Sequence, residues 1–90
     1  MKNRPAAFLD RDGVLNVDKG YVYKIKDYDW IPGAKESIKY LNSLNYFVFI
    51  VSNQSGISRG YYSQKDLEIL NNYINNDLAK VGAYIDEFFF

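Results

Sequence analysis

Phe8-Leu9-Asp10-Arg11-Asp12-Gly13-Val14-Leu15-Asn16 places two carboxylates one residue apart at the end of an apolar run. Like charges that close raise a pKa or recruit a cation. The chemistry open to such a pair is a division of labour: one acid stays ionised as nucleophile or metal ligand, and the other holds a proton to give away. Gly13, without a Cβ, lets the backbone turn sharply beside a ligand. The same residues fit a β-turn, since Asp-Gly between apolar residues is a strong hairpin signal, and taken alone the turn is their commoner meaning. A calcium loop of the EF-hand type fails on spacing, because Val14 stands where a third oxygen ligand belongs and the glycine falls two places early.

A second polar stretch, Ser52-Asn53-Gln54-Ser55-Gly56-Ile57-Ser58-Arg59-Gly60, follows another apolar run. A hydroxyl, two amides, a glycine turn and an arginine suit a phosphate: short donors, free backbone N–H groups and one fixed positive charge. On composition alone it is also an ordinary polar loop rich in turn formers.

Elements that bring the two stretches together can be read from the periodicity. Ala6 to Leu9 is too short for a helix and reads as a buried strand ending at Asp10. Alternation along it points Asp10 and Asp12 one way and Arg11 the other. Val14 to Lys26 has no sustained period and reads as a surface excursion, a small flap or hairpin whose aromatics Tyr21 and Tyr23 serve as a lid or as packing, with packing favoured. Asp27 to Ile31 reads as a short extended piece. Pro32 suits the first turn of a helix, and Ala34, Ile38, Leu41 and Leu44 recur at helical spacing up to about Asn45. Tyr46 to Val51 is β-branched and aromatic throughout, the pattern of a strand covered on both faces. Strand, helix and strand form a βαβ unit with a parallel sheet, whose strand C-termini share the rim where ligands bind. That topology sets Ser52 near Asp10. Ser63 reads as an N-cap with Asp66 completing an approximate capping box. Leu67, Leu70, Tyr73, Ile74, Leu78 and Val81 form the stripe of a second helix stopped by Gly82. Asn71, Asn72, Asn75 and Asn76 read as its solvated face. Ile85 to Phe90 reads as a third strand, and three phenylalanines at its end read as a cut, since termini are usually polar.

Ninety residues make at most one domain. The chain has no cysteine and no histidine, so disulfides, thiolate zinc sites, thiol catalysis and imidazole bases are absent from it. Eleven basic residues balance eleven acidic ones, which leaves no electrostatic footprint for nucleic acid or an anionic membrane. The apolar run after Arg4 is broken by Asp10, too early for a signal peptide, and Tyr46 to Val51 is far short of a membrane span. The expectation is a soluble, cytoplasmic chain.

Asp10-Arg11-Asp12-Gly13-Val14-Leu15-Asn16 followed by Val51-Ser52-Asn53-Gln54-Ser55-Gly56-Ile57 resembles the haloacid dehalogenase-like phosphohydrolases. Gly20-Tyr21-Val22, Ile31-Pro32-Gly33-Ala34 and Ser58-Arg59-Gly60 extend the match toward the branch of D-glycero-D-manno-heptose 1,7-bisphosphate phosphatases and histidinol-phosphatases. The resemblance implies an α/β, Rossmann-like fold, with residues 1–90 forming the N-terminal part of a single domain: about three parallel strands and two helices. It implies Asp10 as the nucleophile forming an aspartyl-phosphate, and Asp12 as the acid that protonates the leaving oxygen and then takes a proton from the hydrolytic water. Mg²⁺ would be held by the Asp10 carboxylate and the Asp12 backbone carbonyl. Ser52 would bond the transferring phosphoryl group, with Asn53, Gln54 and Arg59 as candidates for the rest of a small phosphorylated metabolite, first of all a sugar bisphosphate.

The family's third-motif lysine and fourth-motif acid lie downstream, as does the Cys/His zinc loop common in this branch, and none has a place in this chain. The strand carrying the fourth motif would lie beside the first strand. The expectation is an N-terminal fragment that binds Mg²⁺ weakly and turns over poorly, from a protein that is monomeric at full length. The rivals are a histidinol-phosphatase, a polynucleotide 3′-phosphatase, whose second motif is similar but which the neutral charge disfavours, and a non-catalytic metal- or phosphate-binding module akin to a response-regulator receiver. Receivers usually place their phosphorylated Asp after a later strand.

Overall fold

Three short apolar stretches pair as a parallel sheet in the computed structural model, which describes residues 3–52 and 55–90. Strand β1 (Ala6–Asp10) lies beside β2 (Phe47–Val51), with Ala6 opposite Phe47 and Asp10 opposite Val51. Strand β3 (Glu87–Phe89) adds to the other side of β2, Phe49 opposite Glu87 and Val51 opposite Phe89, in the order β1-β2-β3. Parallel neighbours need crossovers. Helix α1 (Ala34–Ser43) makes the first, while α2 (Ser55–Ser58) and α3 (Gln64–Ala79) lie in the second. The expected α/β architecture holds, with a third, single-turn helix added directly after β2.

The helices end where local chemistry stops them. Asn45 takes a left-handed φ of 62° after α1, and Tyr46 N–H reaches the Leu41 carbonyl at 3.1 Å, closing a Schellman motif. Gly82 does the same after α3, where Ala83 N–H bonds the Leu78 carbonyl at 3.0 Å. At the other end of α3 the capping box is complete: the Ser63 hydroxyl accepts from Asp66 N–H, and the Asp66 carboxylate accepts from Ser63 N–H. Pro32, expected in the first turn of α1, stands before its N-cap Gly33, so the helix starts at Ala34.

One core joins Ile38 of α1, Val48 and Ile50 of β2, Leu70, Ile74 and Leu78 of α3, and Ala83 and Ile85 of the turn into β3. It draws in Leu15, Val22 and Tyr28 from the excursion between β1 and α1. Both long helices therefore cover the same face of the sheet. The expectation that β2 is covered on both faces is corrected, since Val48 and Ile50 are buried while Val51 is exposed and Phe47 and Phe49 are only half-buried. Leu44 and Val81, expected in the helical stripes, are exposed because each falls in the turn that ends its helix.

Asn75, expected to be solvated, instead clamps the start of β3: its amide donates to the Ile85 carbonyl at 3.3 Å and accepts from Ile85 N–H at 2.9 Å. Asn42 of α1 grips Tyr84 in the same two-bond way. The excursion is a flap, closed at its base by Val17 N–H to the Asp29 carbonyl and Ile31 N–H to the Leu15 carbonyl, both 2.8 Å. The piece from Asp27 to Ile31 is not wholly extended: a single 3₁₀ turn, Ile25–Asp27, precedes the bridge between Asn16 and Trp30. No helix among the described residues is long and apolar enough to cross a membrane.

Candidate active site

Asp10 is the last residue of β1 and is exposed, on the sheet face opposite the helices together with Ala6 and Phe8. Arg11 alternates inward and is 1% exposed. The chain then turns back over itself, the Arg11 carbonyl accepting from Val14, Leu15 and Asn16 N–H groups at 3.2, 2.8 and 3.3 Å. Gly13 makes the turn possible at a φ of 84°, where any Cβ would be strained. Asp12 sits half-buried in that turn. Its Oδ1 accepts from Arg11 Nη2 at 3.0 Å and Nε at 3.3 Å, and from Asn16 Nδ2 at 2.9 Å.

Parallel pairing brings Ser52, the residue after β2, to the same rim, where its N–H is anchored on the Phe89 carbonyl at 3.0 Å. Asp10, Arg11, Asp12, Asp18, Val51 and Ser52 line one polar cleft of about 310 Å³. The two acids and the serine singled out from sequence thus share a cavity. Asn53 and Gln54 lie outside the described residues. Arg59 is exposed just after α2 and donates from Nη1 to the Tyr21 hydroxyl at 2.9 Å, so its observed partner is the flap.

The flap aromatics pack rather than stand free. Tyr21 meets the edge of Tyr61 at 4.9 Å, and Tyr23 stacks on Tyr62 at 4.8 Å. Gly56 is buried under this seam, and a Cβ there would fall 2.2 Å from the Tyr62 ring. Burial pushes the Tyr62 phenol up from its ordinary pKa, with the nearby Arg11 guanidinium opposing. Tyr28 behaves likewise and more strongly, raised by burial against the pull of Arg11. Its hydroxyl and the Asn16 Oδ1 are buried without a hydrogen-bond partner among the described residues.

Three contributors escaped the sequence reading. Asp18 lines the cleft, held by its own turn through Gly20 N–H to Oδ1 at 3.0 Å, and nothing in its local sequence separates it from any flap acid. Asn16 bonds Asp12, although it was read only as part of a motif. Arg11 had a usable signal: an arginine pointing into a core must find a carboxylate, and Asp12 is the acid next to it.

A family model described as haloacid dehalogenase-like hydrolase matches residues 7–77. The chain belongs to this family. Among curated relatives, it is 48% identical over 84 residues to the D-glycero-alpha-D-manno-heptose-1,7-bisphosphate 7-phosphatase of Campylobacter jejuni, covering 93% of this chain and 49% of that protein. It is 44% identical over 91 residues to the D-glycero-beta-D-manno-heptose-1,7-bisphosphate 7-phosphatase of Helicobacter pylori, covering 100% and 53%. A solved structure, D,D-heptose 1,7-bisphosphate phosphatase from B. bronchiseptica complexed with magnesium and phosphate, superposes with a TM-score of 0.88 at 30% identity, over 94% of this chain and 48% of that one. The chain spans about half the length of these relatives.

Proposed function

We propose that this chain carries the nucleophile half of a Mg²⁺-dependent phosphomonoesterase that removes a phosphate from D-glycero-D-manno-heptose 1,7-bisphosphate. The observation that carries the reading is the single cleft lined by Asp10, Asp12 and Ser52 at the C-terminal rim of a parallel sheet. An Asp10 carboxylate oxygen attacks phosphorus as the bond to the sugar oxygen breaks, and that oxygen leaves with the proton of Asp12. Asp12, now ionised, takes a proton from water as the water attacks the aspartyl-phosphate, which returns Asp10 as a free carboxylate and releases inorganic phosphate. Ser52 donates its hydroxyl to the phosphoryl oxygens.

The donors suit Mg²⁺. Asp10 offers an exposed carboxylate, and the turn hydrogen bonds that follow β1 go to the Arg11 and Asn16 carbonyls, not to that of Asp12. No three or more acidic, His or Cys side chains among the described residues stand close enough together to hold a metal ion by themselves. A set of one carboxylate and one carbonyl accords with an ion that keeps several waters and binds with its phosphate. When bound, Mg²⁺ would screen the repulsion between carboxylate and phosphate. The relatives' names favour the heptose bisphosphate, and because both anomers occur among them the anomer is a matter for assay.

The test is phosphoryl transfer to the purified chain. With Mg²⁺ and heptose 1,7-bisphosphate, intact-mass and peptide analysis should find a phosphoryl adduct on Asp10, absent from Asp10→Asn and after chelation, with slow phosphate release. Histidinol phosphate and a nicked 3′-phosphate DNA should label less. A label on another residue, or one indifferent to Mg²⁺, overturns the reading.

A further inference from the structure

We propose that Arg11 is a positioning residue that ties the seating of the flap to the aim of the Asp12 carboxylate. The proposal rests on Asp12 being the acid of the reaction. Arg11 is buried, yet its guanidinium curls back to two acceptors on different segments. Nη2 donates to Asp12 Oδ1 at 3.0 Å and to the Val22 carbonyl, in the flap, at 2.6 Å. A guanidinium is a rigid planar fork, so its two acceptors are held at a fixed offset. Displacing Val22 either breaks its bond or drags the fork off Asp12.

Asn16 holds the same oxygen from the flap's base. It is 0% exposed, bridges to Trp30, and donates to Asp12 Oδ1 at 2.9 Å. Every described bond to the Asp12 side chain therefore falls on Oδ1. Oδ2 is the oxygen left for the leaving group's proton. Arg11 is not needed merely to hold the flap down, because the Val22 side chain is 2% exposed in the core and Tyr21 and Tyr23 pack on Tyr61 and Tyr62. What the arginine adds is a charge-assisted link between the flap and the acid. An open flap frees the carboxylate to turn, and a seated flap fixes it.

The link is measured on this chain by amide hydrogen exchange resolved by NMR, together with the side-chain carboxyl carbon resonance of Asp12. Arg11→Met should speed exchange at flap amides 18–26 by about tenfold, the effect of one charge-assisted hydrogen bond. Amides of α3 should keep their rates. The Asp12 carboxyl resonance should move in Arg11→Met and return part-way in Arg11→Lys, whose ammonium lacks the fork. Coupling is reciprocal. Asp12→Asn, which changes no atom of the flap, should therefore speed the same flap amides.

Flap and α3 amides that quicken together would make Arg11 an ordinary structural residue and overturn the proposal. Flap rates unchanged in Asp12→Asn would do the same. If Arg11→Met does not fold, Arg11→Lys and Asp12→Asn still decide between these outcomes. None of the readouts needs turnover, so a failure of the phosphatase reading and a failure of this coupling are separately visible.

Discussion

Asp77 shows how much one side chain can join. Its Oδ2 accepts from Trp30 Nε1 at the flap's end and from Lys35 Nζ of α1, both at 2.7 Å, while Lys80 stands 3.6 Å from Oδ1. The Lys35 bond, helped by Trp30, holds this carboxyl below its ordinary pKa against the cost of burial. A depressed folded pKa stabilises the fold fully above the unfolded value of about 3.9, and that stabilisation is lost as pH falls through the folded value. Asp77→Asn should cost about 1–2 kcal/mol at pH 7, as charge-assisted bonds become neutral ones. Urea midpoints of wild type and variant should converge as the pH is lowered below about 4; parallel curves would show that the ion contributes nothing. Asp77 could not be found from sequence, because Trp30 is 47 residues away and only packing brings it near. Asp10, Asp12 and Ser52 were legible for the opposite reason: each sits on or just beyond a strand end, and a parallel sheet sends those ends to one rim. Arg11 fell between these cases, its inward direction legible and its return to Asp12 and Val22 not.

At the scale of elements, what could be read in advance was local, and what could not was held by contacts distant in sequence. The α3 capping box lies within four consecutive residues, and Ser63→Ala should cost about 1 kcal/mol. Asn75 sits in a run of asparagines that looks solvated, and its role appears only when Ile85 folds back onto α3. Asn75→Ala removes a donor and an acceptor from a half-buried backbone pair, so it should cost at least as much, about 1–3 kcal/mol. The two losses differ in place as well as size. Amide exchange should quicken in the first turn of α3 for Ser63→Ala and at Ile85 and β3 for Asn75→Ala. Quickening in the α3 first turn for both would mean that Asn75 supports the helix rather than the strand. The flap has the same logic, since no periodicity marks it and its order comes from Val22, Tyr28 and the tyrosine seam.

For the whole molecule the decisive feature is a sheet dressed on one side. All-parallel sheets are normally covered on both faces. Here α1 and α3 cover one, while the other presents Phe8 at 65% exposure and Phe89 at 46%. Its rings touch in a continuous line, Phe8 to Phe49 at 5.3 Å, Phe49 to Phe47 at 5.7 Å and Phe49 to Phe89 at 5.6 Å. An apolar groove of about 270 Å³ between β1 and α1, lined by Leu9, Val14, Leu15, Ile31, Ile38 and Leu41, lies open as well. The outer edge of β1 has no strand beside it among the described residues. The relatives, about twice as long, have as much chain again with which to cover such surfaces. Exposed aromatic surface beside an unpaired strand edge drives association. Sedimentation velocity of this chain should therefore show concentration-dependent self-association. Phe8→Lys should reduce it, because a charge on the open face beside the unpaired edge must be desolvated for two copies to meet there. The substitution removes little buried area, so its unfolding midpoint should stay within about 0.5 kcal/mol of wild type, as for other surface changes. A wild-type chain that stays monomeric at every concentration, or association untouched by Phe8→Lys, would show that this face is not where the free energy of association lies.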